Sequence, residues 1–258
     1  MRYETILHSL DAGVVTIALN RPEVMNGLNA QMRLEITHAF THAPAAARVI
    51  VLTGEGRAFC SGQDLGDRTT ALDRDIERTL REEYEPMLRA VYNCPLPTIA
   101  AVNGAAAGAG ASLALAADVV IAAQSAVFVQ AFARIGLIPD AGGTYWLPRQ
   151  VGFAKAMGAA LFAERITAAQ ADAWGMIWEA VPDDTFAATV QSRAAQLARG
   201  PSVSYRLIKK ALRASFGNSL AEQLDLEARL QGEASRTRDF QEGVMAFLEK
   251  RPARYEGR

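Results

Sequence analysis

The residues from Pro97 to Asp118, PTIAAVNGAAAGAGASLALAAD, restrict the folds open to this chain more than any other stretch. Thr98 to Val102 is an apolar, β-capable run. Asn103-Gly104 marks a turn. The chain then becomes almost pure Ala and Gly, and Ala111 to Ala117 reads as a buried helix. Residues this small mean that something comes very close to the backbone. Gly108 and Gly110 leave no side chain in the way. The start of the helix carries unpaired N–H groups and a partial positive charge. A strand, a small-residue turn and a helix start therefore make a place to hold an anion, or an oxygen that becomes one.

Two nucleotide- and nucleophile-type alternatives fail on the residues. The dinucleotide fingerprint needs a third glycine where Leu113 stands, and no acidic residue ends a second strand about 20 residues on. The nucleophile elbow fails because Leu113-Ala114 follows Ser112. A tightly packed buried helix without chemistry stays open on this stretch alone.

Composition narrows the partners. The 258 residues suit one large domain, or one domain with a small appendage. The net charge is −1 and there is no basic stripe, which argues against nucleic acid. The apolar runs are broken before about 18 residues, so no membrane-spanning helix is expected. The start, MRYETILHSLD, lacks the features of a signal peptide, and a cytoplasmic protein is expected. Cys60 and Cys94 fit neither a metal cluster nor a disulfide framework and read as small hydrophobes in a reducing compartment. No metal is expected.

Along the chain, Tyr3 to His8 and Val14 to Asn20 read as strands around an Asp11-Ala12-Gly13 turn. Asn29 looks like the cap of a helix from Ala30 to His42. Arg48 to Thr53 reads as a strand, Arg57 to Asp67 as a loop, and Leu72 to Val91 as one long amphipathic helix. Asp118 to Ala122 starts a third strand unit that reaches Phe132. From Leu147 onward the pattern is helical throughout, over 147–161, 167–174, 184–199, 201–215, 219–232 and 238–250. Strand, glycine turn and helix recur at about 45–50 residues in the first half, which suggests stacked ββα turns forming a spiral. The expected division is a core over 1–200 and a helical region over 201–258.

Three glycine turns each follow a strand: Ser61-Gly62, Gly108-Ala109-Gly110 and Ala141-Gly142-Gly143. Two backbone N–H groups from different turns, aimed at one point, would stabilise an enolate or tetrahedral oxyanion. Asp140 lies in the third turn, where an apolar setting raises a carboxyl pKa and suits it to acid–base work. An Asx turn or helix cap explains the same residue equally well. Asp64 has the same alternative and reads as fixing its loop. His8, His38 and His42 lie away from the glycine turns and read as surface or core residues.

Arg57-Ala-Phe-Cys-Ser-Gly-Gln-Asp-Leu65, Val102-Asn-Gly-Ala-Ala-Ala-Gly-Ala-Gly-Ala-Ser112 and Gly136-Leu-Ile-Pro-Asp-Ala-Gly-Gly-Thr144 resemble the three signature stretches of the enoyl-CoA hydratase/isomerase (crotonase) family. Arg21-Pro22 and Phe247-Leu-Glu-Lys-Arg251 extend the resemblance over the whole chain. It implies an α/β crotonase-type spiral of ββα turns with a C-terminal helical trimerisation region, assembled as a homotrimer or a dimer of trimers. It implies an acyl-CoA thioester substrate and no separate cofactor, coenzyme A entering as part of the substrate. The backbone donors it implies are Ser61 and Ala109, with Gly108 beside the second. The CoA would lie along Val24, Ala58, Ser61, Gly62, Gln63, Asp64 and Leu65, with Phe247 and Lys250 closing over it.

Members of the family that hydrate enoyl-CoA carry two glutamates, at positions held here by Ser112 and Phe132. Neither residue ionises near neutral pH, so two-carboxylate activation of water is not available. Asp140 remains, at a turn where double-bond isomerases and related dehalogenases place an acid. A narrower resemblance, carried by GQDLGDR, FARIGLIPDAGGTYWLPR and WGMIWEAV, is to the members that rearrange ring-1,2-epoxyphenylacetyl-CoA in phenylacetate degradation. The expected function is acyl-CoA isomerisation, with an apolar aromatic pocket beside Phe132. The alternatives are an enoyl-CoA hydratase and a non-catalytic acyl-CoA or protein-binding member.

Overall fold

The computed structural model describes residues 2–64 and 75–258. Its centre is set by strands that are apolar on both faces. Four successive residues of β3 (Val49–Gly54) and all five of β5 (Thr98–Val102) are buried, and β7 (Val119–Ala123) is buried after its first residue. Strands of this kind need cover on both sides, which parallel pairing with long crossovers supplies. They form one sheet with β1 (Ile6–Asp11), β2 (Val14–Leu19) and β10 (Glu179–Val181), in the order β1-β2-β3-β5-β7-β10. Only the β1–β2 pair is antiparallel. Its turn is Ala12-Gly13, both at positive φ, and β1 runs to Asp11 rather than ending at His8.

A second sheet is made of three-residue strands, in the order β4 (Ala58–Cys60), β6 (Ala105–Ala107), β8 (Val127–Val129), β9 (Arg165–Thr167). Each long strand β3, β5 and β7 is thus followed by a short one in the other sheet, which is the ββα spiral. The expected repeat length is corrected: β3, β5 and β7 begin at residues 49, 98 and 119, so the turns differ in length. The expected loop from Arg57 contains β4, and the helical second half contains β9 and β10. Three residues are too few to show a strand's alternation.

The first helix, α1 (Ala30–Thr41), is capped by the Asn29 side chain, which accepts from the Met32 N–H at 2.8 Å. A second helical segment, α2, is composite: Ile76–Thr79, a π-helical turn Leu80–Tyr84, then Glu85–Tyr92. Every residue of α3 (Ala109–Leu115) is buried. It starts two residues earlier than expected, which makes Ala109 its first residue. The helix α4 (Gly143–Phe162) is broken at Gly152, where φ is +75°. Helices α5 (Ala168–Ala173), α6 (Asp183–Ala198), α7 (Ser202–Ala214), α8 (Leu220–Ala234) and α9 (Arg238–Leu248) come next, close to their expected bounds.

The main core lies between the sheets, α1 and α3, and includes Ile17, Met32, Leu52, Phe59 and Phe128. A smaller cluster packs Val49, Val51, Ile99 and Ile121 under Val190, Ala194 and Ala198 of α6. The C-terminal helices are tied to the core. Arg48 donates to the Gly200 and Glu256 carbonyls, both at 2.7 Å. Among the described residues, no helix is long and apolar enough to cross a membrane.

Candidate active site

Asp140 sits where the chain leaves the second sheet. After β8 a 3-10 turn, Ala131–Ile135, ends at Gly136 in the left-handed region. The next turn is closed by backbone. The Gly143 N–H donates to the Asp140 carbonyl at 2.8 Å, and Ser112 Oγ donates to the same carbonyl at 3.2 Å. Gly142 caps α4 without a side-chain bond. This weighs against a helix cap, because no Asp140 side-chain bond to the helix start is present among the described residues, and the hydrogen bond to the carboxylate comes from its own backbone. Its Oδ1 is buried with no hydrogen-bond partner among the described residues. Burial pushes the carboxyl up from 3.8 to about 6.

The groups around it do not compete in that range. Burial raises the Cys60 thiol to about 12 and takes the Tyr84 hydroxyl well above its usual range. Ser112 is fully buried, and Phe132 is 7% exposed. A Cβ on Gly108 would lie 3.8 Å from Phe132 Cζ, so the ring walls the start of α3. A Cβ on Gly143 would lie 2.9 Å from Ser112 Oγ and 3.3 Å from Gln130 Oε1. Only glycine lets α4 come this close.

The expected pair of backbone donors is corrected at one position. The Ser61 N–H donates to the Met25 carbonyl at 2.9 Å, so it is not available to a ligand. The available group is two residues on. Leu28 donates to the Gly62 carbonyl at 2.7 Å and accepts from the Asp64 N–H at 3.2 Å. Gln63 lies between those two bonds, and its own N–H points away from Leu28 with no acceptor among the described residues. Ala109 N–H, at the first position of α3, also has no acceptor among them. The two loops touch. Gly62 has φ +91°, and a Cβ there would lie 2.7 Å from the Ala107 carbonyl oxygen and 3.3 Å from the Ala109 nitrogen. Sequence reasoning found both glycine turns but not which N–H of the first is spoken for, because that depends on Met25.

The remaining expected contacts divide. Val24, Ser61 and Asp64 come together: Ser61 Oγ donates to the Val24 carbonyl at 3.2 Å, and Asp64 pairs with Arg21 at 2.7 Å. Asn26, fully buried, holds this loop by donating to the Glu55 and Ala58 carbonyls. Nothing in its sequence setting marked it. Ala58 is 1% exposed and its carbonyl is taken by Asn26, so the structure offers it no face for a ligand. Leu65 lies outside the described residues. Phe247 and Lys250, expected to close over the CoA, make no contact with Val24, Ala58 or Ser61 to Asp64 among the described residues of this chain. Phe247 faces a cavity lined by Leu207, Leu230, Phe240 and other C-terminal residues, and Lys250 follows the end of α9.

Known proteins match this arrangement over its whole length. A family model described as Enoyl-CoA hydratase/isomerase matches residues 9–258. A protein of Rhodobacter capsulatus named "Probable enoyl-CoA hydratase" is 64% identical, with all of both chains covered. The "1,2-epoxyphenylacetyl-CoA isomerase" of Escherichia coli K12 is 46% identical over 99% of each chain. The solved structure of an enoyl-CoA hydratase from Bacillus anthracis superposes with a TM-score of 0.92 at 32% identity, covering 99% of this chain and 100% of that one.

Proposed function

The chain belongs to the enoyl-CoA hydratase/isomerase family, and from that premise we propose that it is an acyl-CoA isomerase with Asp140 as its single acid–base group. The observation that carries this reading is the burial of Asp140 without a second carboxylate beside it among the described residues. Its carboxyl is raised to about 6 by burial, with Ser112 and Phe132 rather than carboxylates beside the turn and the start of α3. The thioester carbonyl would lie between the Gln63 and Ala109 N–H groups. The Asp140 carboxylate removes a proton from the carbon next to that carbonyl. The electron pair moves onto the carbonyl oxygen, and the two N–H groups stabilise the enolate. The same carboxyl then returns the proton two carbons further along. Proton and double bond both move, and no water is added.

We take the physiological substrate to be ring-1,2-epoxyphenylacetyl-CoA. The Phe132 ring beside Gly108 supports an aromatic acyl group there, as does the 46% identical relative of that name. Coenzyme A enters with the substrate. The exposed apolar residues of the C-terminal helices, among them Ile208, Leu212, Leu224 and Phe240, support assembly into a trimer or a dimer of trimers. A second reading, enoyl-CoA hydratase, is favoured by the name of the 64% identical relative.

The test is turnover of a 3-enoyl-CoA, followed by the ultraviolet absorbance of the conjugated 2-enoyl product. Wild type should convert it, and Asp140→Asn should bind the ester but lose turnover by about 10³-fold or more. Undiminished turnover by Asp140→Asn overturns the mechanism. Addition of labelled water oxygen to a 2-enoyl-CoA, without isomerisation, selects the hydratase. Binding that raises the Tm without turnover on either ester or on the epoxide selects a non-catalytic member.

A further inference from the structure

A cavity of about 420 Å³ lies between the far end of α3, the first turns of α4 and α7. Small-molecule sites have volumes of ~300–1,000 Å³. The cavity is separate from the acyl site: Leu115 to Ala117 line it, Ala109 starts the same helix at the other end, and Asp140 is not in its wall. Three rings form one side. Tyr145 and Trp146 meet edge to face with centroids 4.8 Å apart, and Tyr92 lies 5.0 Å from Trp146. Among the described residues the lining holds three cations, Arg149, Lys209 and Arg213, and one carboxylate, Asp118. Lys209 and Arg213 share that carboxylate, both at 2.6 Å. Arg149 has no such partner among the described residues. Its guanidinium carbon sits 3.7 Å from the centroid of the Tyr145 ring and 5.5 Å from that of Phe216. Its Nη1 donates to the Tyr145 carbonyl at 3.1 Å, and the rest of the fork meets no acceptor among the described residues. The next residue, Gln150, also lines the cavity, and its Oε1 is buried with no hydrogen-bond partner among them.

We propose that this cavity binds a small aromatic carboxylate. The ligand ring lies against Tyr145 and Trp146, where offset and edge contacts favour another arene. The carboxylate takes two parallel hydrogen bonds from the Arg149 fork. The Tyr145 and Phe216 rings hold the guanidinium in place beforehand, so little side-chain freedom is lost on binding. The excess of cations over carboxylate in the wall selects an acid over its neutral amide. The rings, with Leu115, Ile208 and Leu212, select an aryl acid over a short aliphatic one. A buried acceptor without a donor is costly, and a hydroxyl on the ligand ring supplies a donor to Gln150 Oε1. The site stands independently of the reaction proposed above, because neither Asp140 nor the backbone donor pair takes part.

The test is calorimetric titration of the full chain with phenylacetate, in excess benzoyl-CoA so that the ring cannot use the acyl site. Phenylacetate should bind wild type, and phenylacetamide and acetate should each bind about 10-fold or more weakly. Arg149→Met should keep the wild-type Tm and weaken phenylacetate about 10-fold or more. One of the hydroxyphenylacetates should bind about threefold tighter than phenylacetate, an advantage lost in Gln150→Leu. Equal binding of acid and amide, or full affinity in Arg149→Met, overturns the proposal. If Arg149→Met does not fold, the acid–amide comparison in wild type decides alone. A hydroxyl advantage that is absent, or that survives Gln150→Leu, overturns the role of Gln150. Ile208 and Leu212 also belong to the exposed face read above as an assembly surface, so the competing occupant is a neighbouring copy. Phenylacetate that does not bind wild type overturns the proposal, and an Arg149→Met that runs as a smaller species in gel filtration then assigns the cavity to that copy.

Discussion

Asp140 makes its own pH prediction. Its folded-state pKa, about 6, is above the 3.8 of an open carboxyl, so the folded protein holds this proton more tightly than the unfolded chain does. The stability this confers is complete below pH 3.8 and is lost as pH rises through about 6. Asp140→Asn cannot ionise. It should match wild type at pH 4 and exceed it at pH 8 by about 1–2 kcal/mol in urea denaturation, the gain being reduced by partial exposure to solvent. A stability gap that does not grow with pH would show that the carboxyl is not raised. As a base in the free enzyme, the same group should make kcat/KM fall below pH 6, with half the maximum near its folded pKa. The residue and its turn were legible in Ile138-Pro139-Asp140-Ala141-Gly142-Gly143, but the setting of its carboxyl was not. A cap and a base look alike in sequence. What weighs against the cap is that Gly143 N–H and Ser112 Oγ close the turn on the Asp140 carbonyl, while Asp140 Oδ1 has no partner among the described residues. Ser61 shows the same limit from the other side, since its N–H is taken by the carbonyl of Met25, far earlier in the chain.

Among elements, α3 tests how far small residues set the site. It rests on β4 so closely that a Cβ on Gly110 would lie 2.2 Å from the Cys60 carbonyl oxygen and 2.8 Å from Cys60 Cβ. Backbone is on the far side of that contact, so nothing flexible can give way. Gly110→Ala should destabilise by about 3 kcal/mol or more, or prevent folding, and it should displace Ala109 N–H from the donor pair. Gly158 in α4 is the control. A Cβ there meets only Phe162 Cδ2 at 3.9 Å, and Gly158→Ala should stabilise by about 0.5–1 kcal/mol. Thermal unfolding of the two variants settles the comparison, and a tolerated Gly110→Ala would mean that α3 is not pinned to β4. The close approach was legible because only Ala and Gly fill the stretch. The element it approaches was not. Each strand of the second sheet is three residues long, with no room for a period, and is formed by pairing across the spiral rather than by local preference.

At the scale of the whole molecule, Asp118 joins three parts of the fold. It lies at the entry to β7. Its Oδ2 accepts from the Thr98 N–H at 2.8 Å and the Thr98 hydroxyl at 2.9 Å, which fixes the start of β5. The same carboxylate pairs with Lys209 and Arg213 of α7, both at 2.6 Å. Lys209 also donates to the Cys94 and Leu96 carbonyls, and burial holds its pKa below the usual lysine value. The helical region and the spiral are therefore coupled by one partly buried cluster of charge, which the alternation of helix and strand signals could not reveal. Removing the carboxylate leaves a desolvated ammonium without its counter-ion. Asp118→Ala should cost about 3–5 kcal/mol in urea denaturation. Lys209→Met alone should cost less, because Arg213 and Thr98 still satisfy Asp118. In the double variant the penalties should fall short of their sum by at least about 1 kcal/mol, since the stranded charge is gone. Additive penalties would mean that α7 is held by its apolar face alone and that the cluster does not couple the two regions.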